Sequence, residues 1–181
     1  MDVIEDKEKP DREECMVSAI IKRCLDDKGI AAKLRRADNS ATEYQSWELL
    51  ASLGVDLEKE YQRLPVVTIA AAIAKSKLDK NGSMSLGQAI AACYENGSDS
   101  DQAKARLRRL LACDDLVELC RLLRSVFSLI NSKAGKTLDF VRLLKQLRRF
   151  SFDDARIQVK AQWAQEFYGR KTRVTTEEEA A

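Results

Sequence analysis

Leu116, Leu119, Leu123, Val126 and Ile130 recur at helical spacing, and Leu122 and Leu129 widen the stripe they form. A helix this apolar is expected to be covered on several sides, which places it at the core. Arg121 and Arg124, three apart, share the polar face that remains. The same plan recurs on either side. Downstream, Phe140, Leu143, Leu144 and Leu147 turn inward, while Arg142, Lys145 and Arg149 turn outward with Arg148 beside them. Because these three point away from the leucines, their removal is expected to spare the fold. Upstream, Arg106 and Arg109 lie three apart with Arg108 between them. Residues Ala103 to Phe150 thus read as three successive helices, each apolar on one side and basic on the other.

The rest of the chain follows the same period. Met16, Ile20 and Cys24 predict a helix over Glu13–Asp27, ended by Gly29, and a short basic helix Ile30–Ala37 follows. Arg35 and Arg36 close that helix, where they complement its dipole or contact phosphate. Ser40-x-x-Glu43 reads as a capping box for a helix reaching Leu53, with Tyr44, Trp47, Leu50 and Ala51 inward and Trp47 in the core. Leu57–Leu64 is a short helix, and Pro65 opens another through Leu78. Further boxes at Ser85-x-x-Gln88 and Asp99-x-x-Gln102, and Asp114-Asp115 at a helix start, mark three more N-termini. Lys133-Ala-Gly-Lys136 turns the chain. Ser151-x-x-Asp154 opens a last helix to about Tyr168, lined by Ile157, Ala161, Ala164 and Phe167 or Tyr168. Arg156 and Lys160 share another side of it with Trp163.

With only two prolines and seven glycines in 181 residues, the expected class is all-α. It is a compact bundle of eight to nine helices, as one body or two lobes, over residues 13–169. A charged arm, 1–12, and a basic-then-acidic tail, 170–181, are expected to be disordered. No apolar run approaches membrane length and no signal peptide opens the chain, so a cytoplasmic protein without membrane contact is expected.

The net charge of +2 hides an asymmetry. Lys104–Arg173 carries 17 Lys and Arg against 7 Asp and Glu, whereas Met1–Ala103 carries 14 against 19. A helical half of net +10 points to a polyanion, most simply nucleic acid. Catalysis finds no support. The chain has no histidine for a general base, and no glycine-rich phosphate loop. Its five cysteines form no C-x-x-C pair and read as small buried thiols, which with the missing histidine argues against a Cys/His zinc site, and no cofactor is expected. A helix-turn-helix reading meets a shortage of Asn and Gln in the basic helices, so phosphate contact fits better than base reading.

Several segments occur in a telling order. They are Leu34-Arg-Arg-Ala37, Ser85-Leu-Gly-Gln-Ala-Ile-Ala91, Ala105-Arg-Leu-Arg-Arg-Leu-Leu111, Leu119-Cys-Arg-Leu-Leu123, Leu138-Asp-Phe-Val-Arg-Leu-Leu144 and Gln162-Trp-Ala-Gln-Glu-Phe-Tyr168. The ordered set resembles the CasB family, the small subunit of type I-E Cascade, from about Gly29 to Tyr168. It departs from the family pattern at Gln88, where a basic residue is expected. The resemblance implies an all-α, non-catalytic protein that packs with a second copy of itself beside the backbone and large subunits. It also implies that the basic surface holds the crRNA–target DNA heteroduplex region and the displaced non-target strand. The expected phosphate contacts are Arg35, Arg36, Arg106, Arg108, Arg109, Arg121, Arg124, Arg142, Lys145, Arg148, Arg149, Arg156 and Lys160. Arg35, Arg36, Arg106, Arg121 and Arg142 lie inside matching segments. A small DNA-binding regulator and a protein-binding adaptor are the competing classes.

Overall fold

The computed structural model describes residues 11–133 and 138–169. Most of the arm, the tail and the turn at Ala134–Lys136 lie outside them. The described residues hold nine α-helices: α1 (Arg12–Asp26), α2 (Lys28–Arg36), α3 (Trp47–Ser52), α4 (Glu60–Ser76), α5 (Leu86–Ala92), α6 (Asp101–Ala112), α7 (Leu116–Lys133), α8 (Phe140–Arg149) and α9 (Asp153–Tyr168). They contain no strand; one parallel bridge joins Met84 to Leu138. None of these helices is long and apolar enough to cross a membrane. The fold is all-α, as the periodicity predicts.

The helix at the centre is α4 rather than α7. Every residue from Leu64 to Ala74 is buried, and α1, α2, α3, α7 and α8 all pack on it. A helix apolar all round can only be stable when covered all round, and the small residues Ala70–Ala72 and Ala74 let its neighbours approach. Against it α7 buries its stripe and leaves Leu122 and Leu129 only partly covered. Pro65 does not open α4 but sits in its second turn, where the missing N–H removes one i→i−4 bond. The apolar residues form one continuous cluster from Met16 to Phe167.

Several helix ends differ from the sequence reading. Gly29 lies inside α2, and the break falls at Asp27, whose Oδ1 accepts from Gly29 N at 2.7 Å. Asp11, assigned to the arm, caps α1. Ser40 caps nothing; a 3-10 turn, Glu43–Ser46, leads into α3. That turn aims Glu43 inward, where its Oε1 accepts from Arg63 Nε at 2.6 Å. The consequence is a rotated face: Leu49 and Leu50 are buried, whereas Tyr44 and Trp47 are 60% and 41% exposed. Ser100, not Asp99, caps α6, and α9 starts at Asp153 without a side-chain cap. The box at Ser85 and Gln88 is present.

The inner face of α9 also differs. Val159, Trp163 and Phe167 are buried, while Ile157 is 67% exposed. Trp163 decides the face, because it buries far more area than isoleucine and its polar edge finds a partner. Its ring stacks on Phe150 with centroids 6.0 Å apart, and Nε1 donates to Gln146 Oε1 at 2.8 Å. Gly87 of α5 makes room for this helix: a Cβ there would lie 2.5 Å from Trp163 O and 2.6 Å from Phe167 N.

The loop before α5 is fastened to the start of α8. Asn81 donates to Asp139 Oδ1 and accepts from Phe140 N, each at 2.8 Å. Asn81→Ala is expected to cost about 1–2 kcal/mol, because a helix N-terminus loses its partner. Urea unfolding checks this, and a loss below about 0.5 kcal/mol would contradict it.

Of the cysteines, Cys93, Cys113 and Cys120 are buried, Cys24 is half-buried and Cys15 is exposed, so the expectation of buried thiols fails at Cys15. Burial pushes the Cys120 thiol up to about 11. A maleimide at about pH 8 is expected to label native protein at Cys15 first and Cys120 only after unfolding. Peptide mapping of labelled protein would read the order, and early labelling of Cys120 would contradict the packing.

Candidate nucleic-acid interface

The thirteen basic residues expected to contact phosphate separate into two groups. Six are held by carboxylates of the same chain. On α8, Arg142 Nη2 lies 2.5 Å from Glu166 Oε1 and Arg148 Nη1 lies 2.7 Å from Glu13 Oε1, while Lys145 pairs with Asp11. On α7, Arg124 Nε lies 2.8 Å from Asp38 Oδ1, a carboxylate it shares with Lys75. On α9, Arg156 meets Asp153 at 2.7 Å and Asp114 at 3.5 Å, and Lys160 reaches Asp114 at 2.5 Å. Lys160 also lies 5.9 Å from the centre of the Phe150 ring.

Apart from Arg156–Asp153, which lies within α9, these pairs fasten elements far apart in sequence. The hydrogen bond from Lys160, with charge from Lys160 and Arg156, lowers the Asp114 carboxyl below its ordinary value. A carboxyl lowered on folding adds stability above its unfolded value, and that contribution fades as pH falls through the folded one. Glu166 has a larger role. Its side chain is 9% exposed, and it lies against Arg142 while accepting from Gly87 N at 3.3 Å. Arg142 therefore does not stand clear of the fold. Its removal would strand a nearly buried carboxylate, which corrects the expectation that Arg142, Lys145 and Arg149 can be replaced without structural cost.

The other seven have no carboxylate within 4.0 Å among the described residues. Arg35 and Arg36 end α2, Arg108 and Arg109 lie on α6, and Arg121 lies on α7; all five are exposed. Arg149 is exposed too and donates to Gln158 Oε1 at 3.0 Å. Arg106 is half-buried, and its Nε donates to the Tyr94 hydroxyl at 3.2 Å. An unneutralised guanidinium on a helical surface can take a phosphate, by one or two N–H donors, without first leaving a partner.

Two of the seven, Arg106 and Arg109, edge a cleft of about 240 Å³ between α6 and α7. Leu110, Leu122 and Val126 supply its apolar wall, and Tyr94 closes it from the end of α5. Tyr94 escapes a reading of the sequence because it lies outside the basic helices. Only its contact with Arg106, twelve residues on, ties it to them.

Solved structures share this fold. A Cse2-family CRISPR-associated protein from Thermus thermophilus is 23% identical, with a TM-score of 0.67 over 87% of this chain and 98% of that one. M. ruber CasB is 22% identical, with a TM-score of 0.69 over 88% and 94%. CasB from Thermobifida fusca is 16% identical, with a TM-score of 0.64 over 87% and 98%. No curated protein matches the chain. The model of the family CRISPR-associated protein Cse2 matches residues 31–168, and the chain therefore belongs to the Cse2 family.

Proposed function

We propose that this protein is the non-catalytic small subunit of a type I-E CRISPR surveillance complex, Cascade. In that setting its basic helical surface holds the guide–target heteroduplex region and the displaced non-target strand, and so stabilises the R-loop. One observation carries the reading. Within the span matched by the family, Arg35, Arg36, Arg108, Arg109 and Arg121 are exposed on three helices with no carboxylate beside them among the described residues. Exchange of a DNA duplex for a heteroduplex is nearly balanced in energy, so a few backbone contacts can tip it. Guanidiniums suit a strand whose sequence varies, because the phosphates they take are the same at every step.

The partners in this reading are the backbone and large subunits, a second copy of the chain, crRNA and target DNA, in the cytoplasm. Arg106 and Arg149 join the five exposed arginines as phosphate contacts, and the six paired residues mainly hold the fold. The test is a salt titration of the full-length protein with two unrelated single-stranded oligonucleotides. Both are expected to bind alike, each contacted phosphate adding roughly −0.7 to the slope of log affinity on log salt. Preference for one sequence would favour a regulator. Failure to bind either strand would favour a protein-binding adaptor.

A further inference from the structure

The cleft between α6 and α7 has features that phosphate contact alone does not require. A phosphate needs donors and charge, yet one wall here is Leu110, Leu122 and Val126. Arg106, Arg109 and the Gln102 amide line it as well. An apolar wall with a few convergent polar groups is the usual build of a small-molecule site. The charge restricts the ligand to an anion, since two guanidiniums three residues apart have no carboxylate within 4.0 Å among the described residues. Arg106 is also fixed in place: its Nε donates to the Tyr94 hydroxyl at 3.2 Å, which holds the planar group at the edge of the apolar wall. A guanidinium plane, like an aromatic ring, is a surface on which an unstacked base lies in single-strand recognition.

We infer that this cleft takes one nucleotide of a bound single strand, with its base against Arg106 and the apolar wall and its phosphate on Arg109. The cleft of about 240 Å³ has room for one flat base, but not for a duplex. The inference rests on the nucleic-acid reading above and deepens it: the strand is gripped by a base as well as by its backbone. The base is held without being identified, because every base has a flat face to stack.

The experiment compares an intact oligothymidylate with an abasic strand of the same length and charge, by fluorescence anisotropy at fixed salt. Wild-type protein is expected to bind the intact strand about tenfold more tightly, the effect of one stacked base. A second protein, Ala105→Leu with Ser125→Leu, fills the cleft from two exposed positions on its lining. It is expected to bind both strands equally and to keep the wild-type salt slope, because its arginines remain. Tyr94→Phe, which frees Arg106 but keeps the ring, is expected to narrow the preference as well. Equal binding of the two strands by wild type would overturn the base site while leaving phosphate contact standing. A preference that survives in the filled protein would place base contact elsewhere and also overturn it. Binding of neither strand would remove both readings.

Discussion

Alanine at Arg108, Arg109 and Arg121 together is expected to flatten the salt dependence of single-strand binding by about 2 units. Each phosphate contact contributes roughly 0.7 to the slope, and three are lost. At low salt the affinity is expected to fall on the order of a hundredfold, taking about 1 kcal/mol per contact. The loss should be the same for unrelated sequences, since backbone contacts carry no base information. The fold should be unaffected. All three side chains are exposed on helices, no carboxylate depends on them among the described residues, and alanine is the best helix former. A contrasting variant sharpens the result. Arg142→Ala with Arg148→Ala removes as many charges as two of these three, but it strands Glu166 and Glu13. It is expected to lower thermal stability while shifting the slope little. If the pattern reverses, with α8 controlling the slope and α6–α7 controlling the melting temperature, the division of the arginines into two groups is wrong.

Trp163→Ala is expected to be the most damaging single change in the core, at about 3–5 kcal/mol. The side chain is fully buried, stacks on Phe150 and satisfies Gln146 Oε1. Alanine would leave a cavity and a buried acceptor without its donor. Trp47→Ala serves as the comparison. Trp47 is 41% exposed, and its indole nitrogen lies 3.5 Å from Glu43 Oε1, so its loss should cost about 1 kcal/mol or less. Urea unfolding of the two variants separates the readings. Equal losses would contradict the assignment of Trp163, rather than Trp47, to the core.

The contrast between the two tryptophans marks what a sequence can disclose. Periodicity locates α7 and α8 and their buried residues well, because each alternates apolar and basic faces without ambiguity. It misjudges α3 and α9, where apolar residues occur nearly all round and the choice of face depends on a distant partner. For α3 that partner is Arg63, which draws Glu43 inward. For α9 it is Gly87, whose missing side chain admits the backbone at Trp163 and Phe167. The candidate interface is legible to the same degree. The basic helices stand out in the sequence, but apart from Asp153, which meets Arg156 within α9, the carboxylates that neutralise six of their residues come from elsewhere. Asp38 meets Arg124 from 86 positions away, and Glu13 meets Arg148 from 135. No local pattern announces such pairs, so paired and unpaired arginines look alike until the chain is folded.

The seat of α9 on Gly87 has a consequence for synthesis. The glycine emerges from the ribosome some 76 residues before Trp163, which must cover it. At about 5–20 residues per second, α5 waits roughly 4–15 seconds with a bare, close-fitting face. During that time α1, α2 and α3, already made, can pack on α4, and α7 and α8 join them as they emerge. The α5 face at Gly87 gains its native cover last, because the atoms nearest to it, Trp163 O, Phe167 N and Glu166 Cβ, all belong to α9. The seat is complete only once α9 is made, and a side chain added at residue 87 would have to push back the α9 backbone and, with it, Glu166, the carboxylate that holds Arg142.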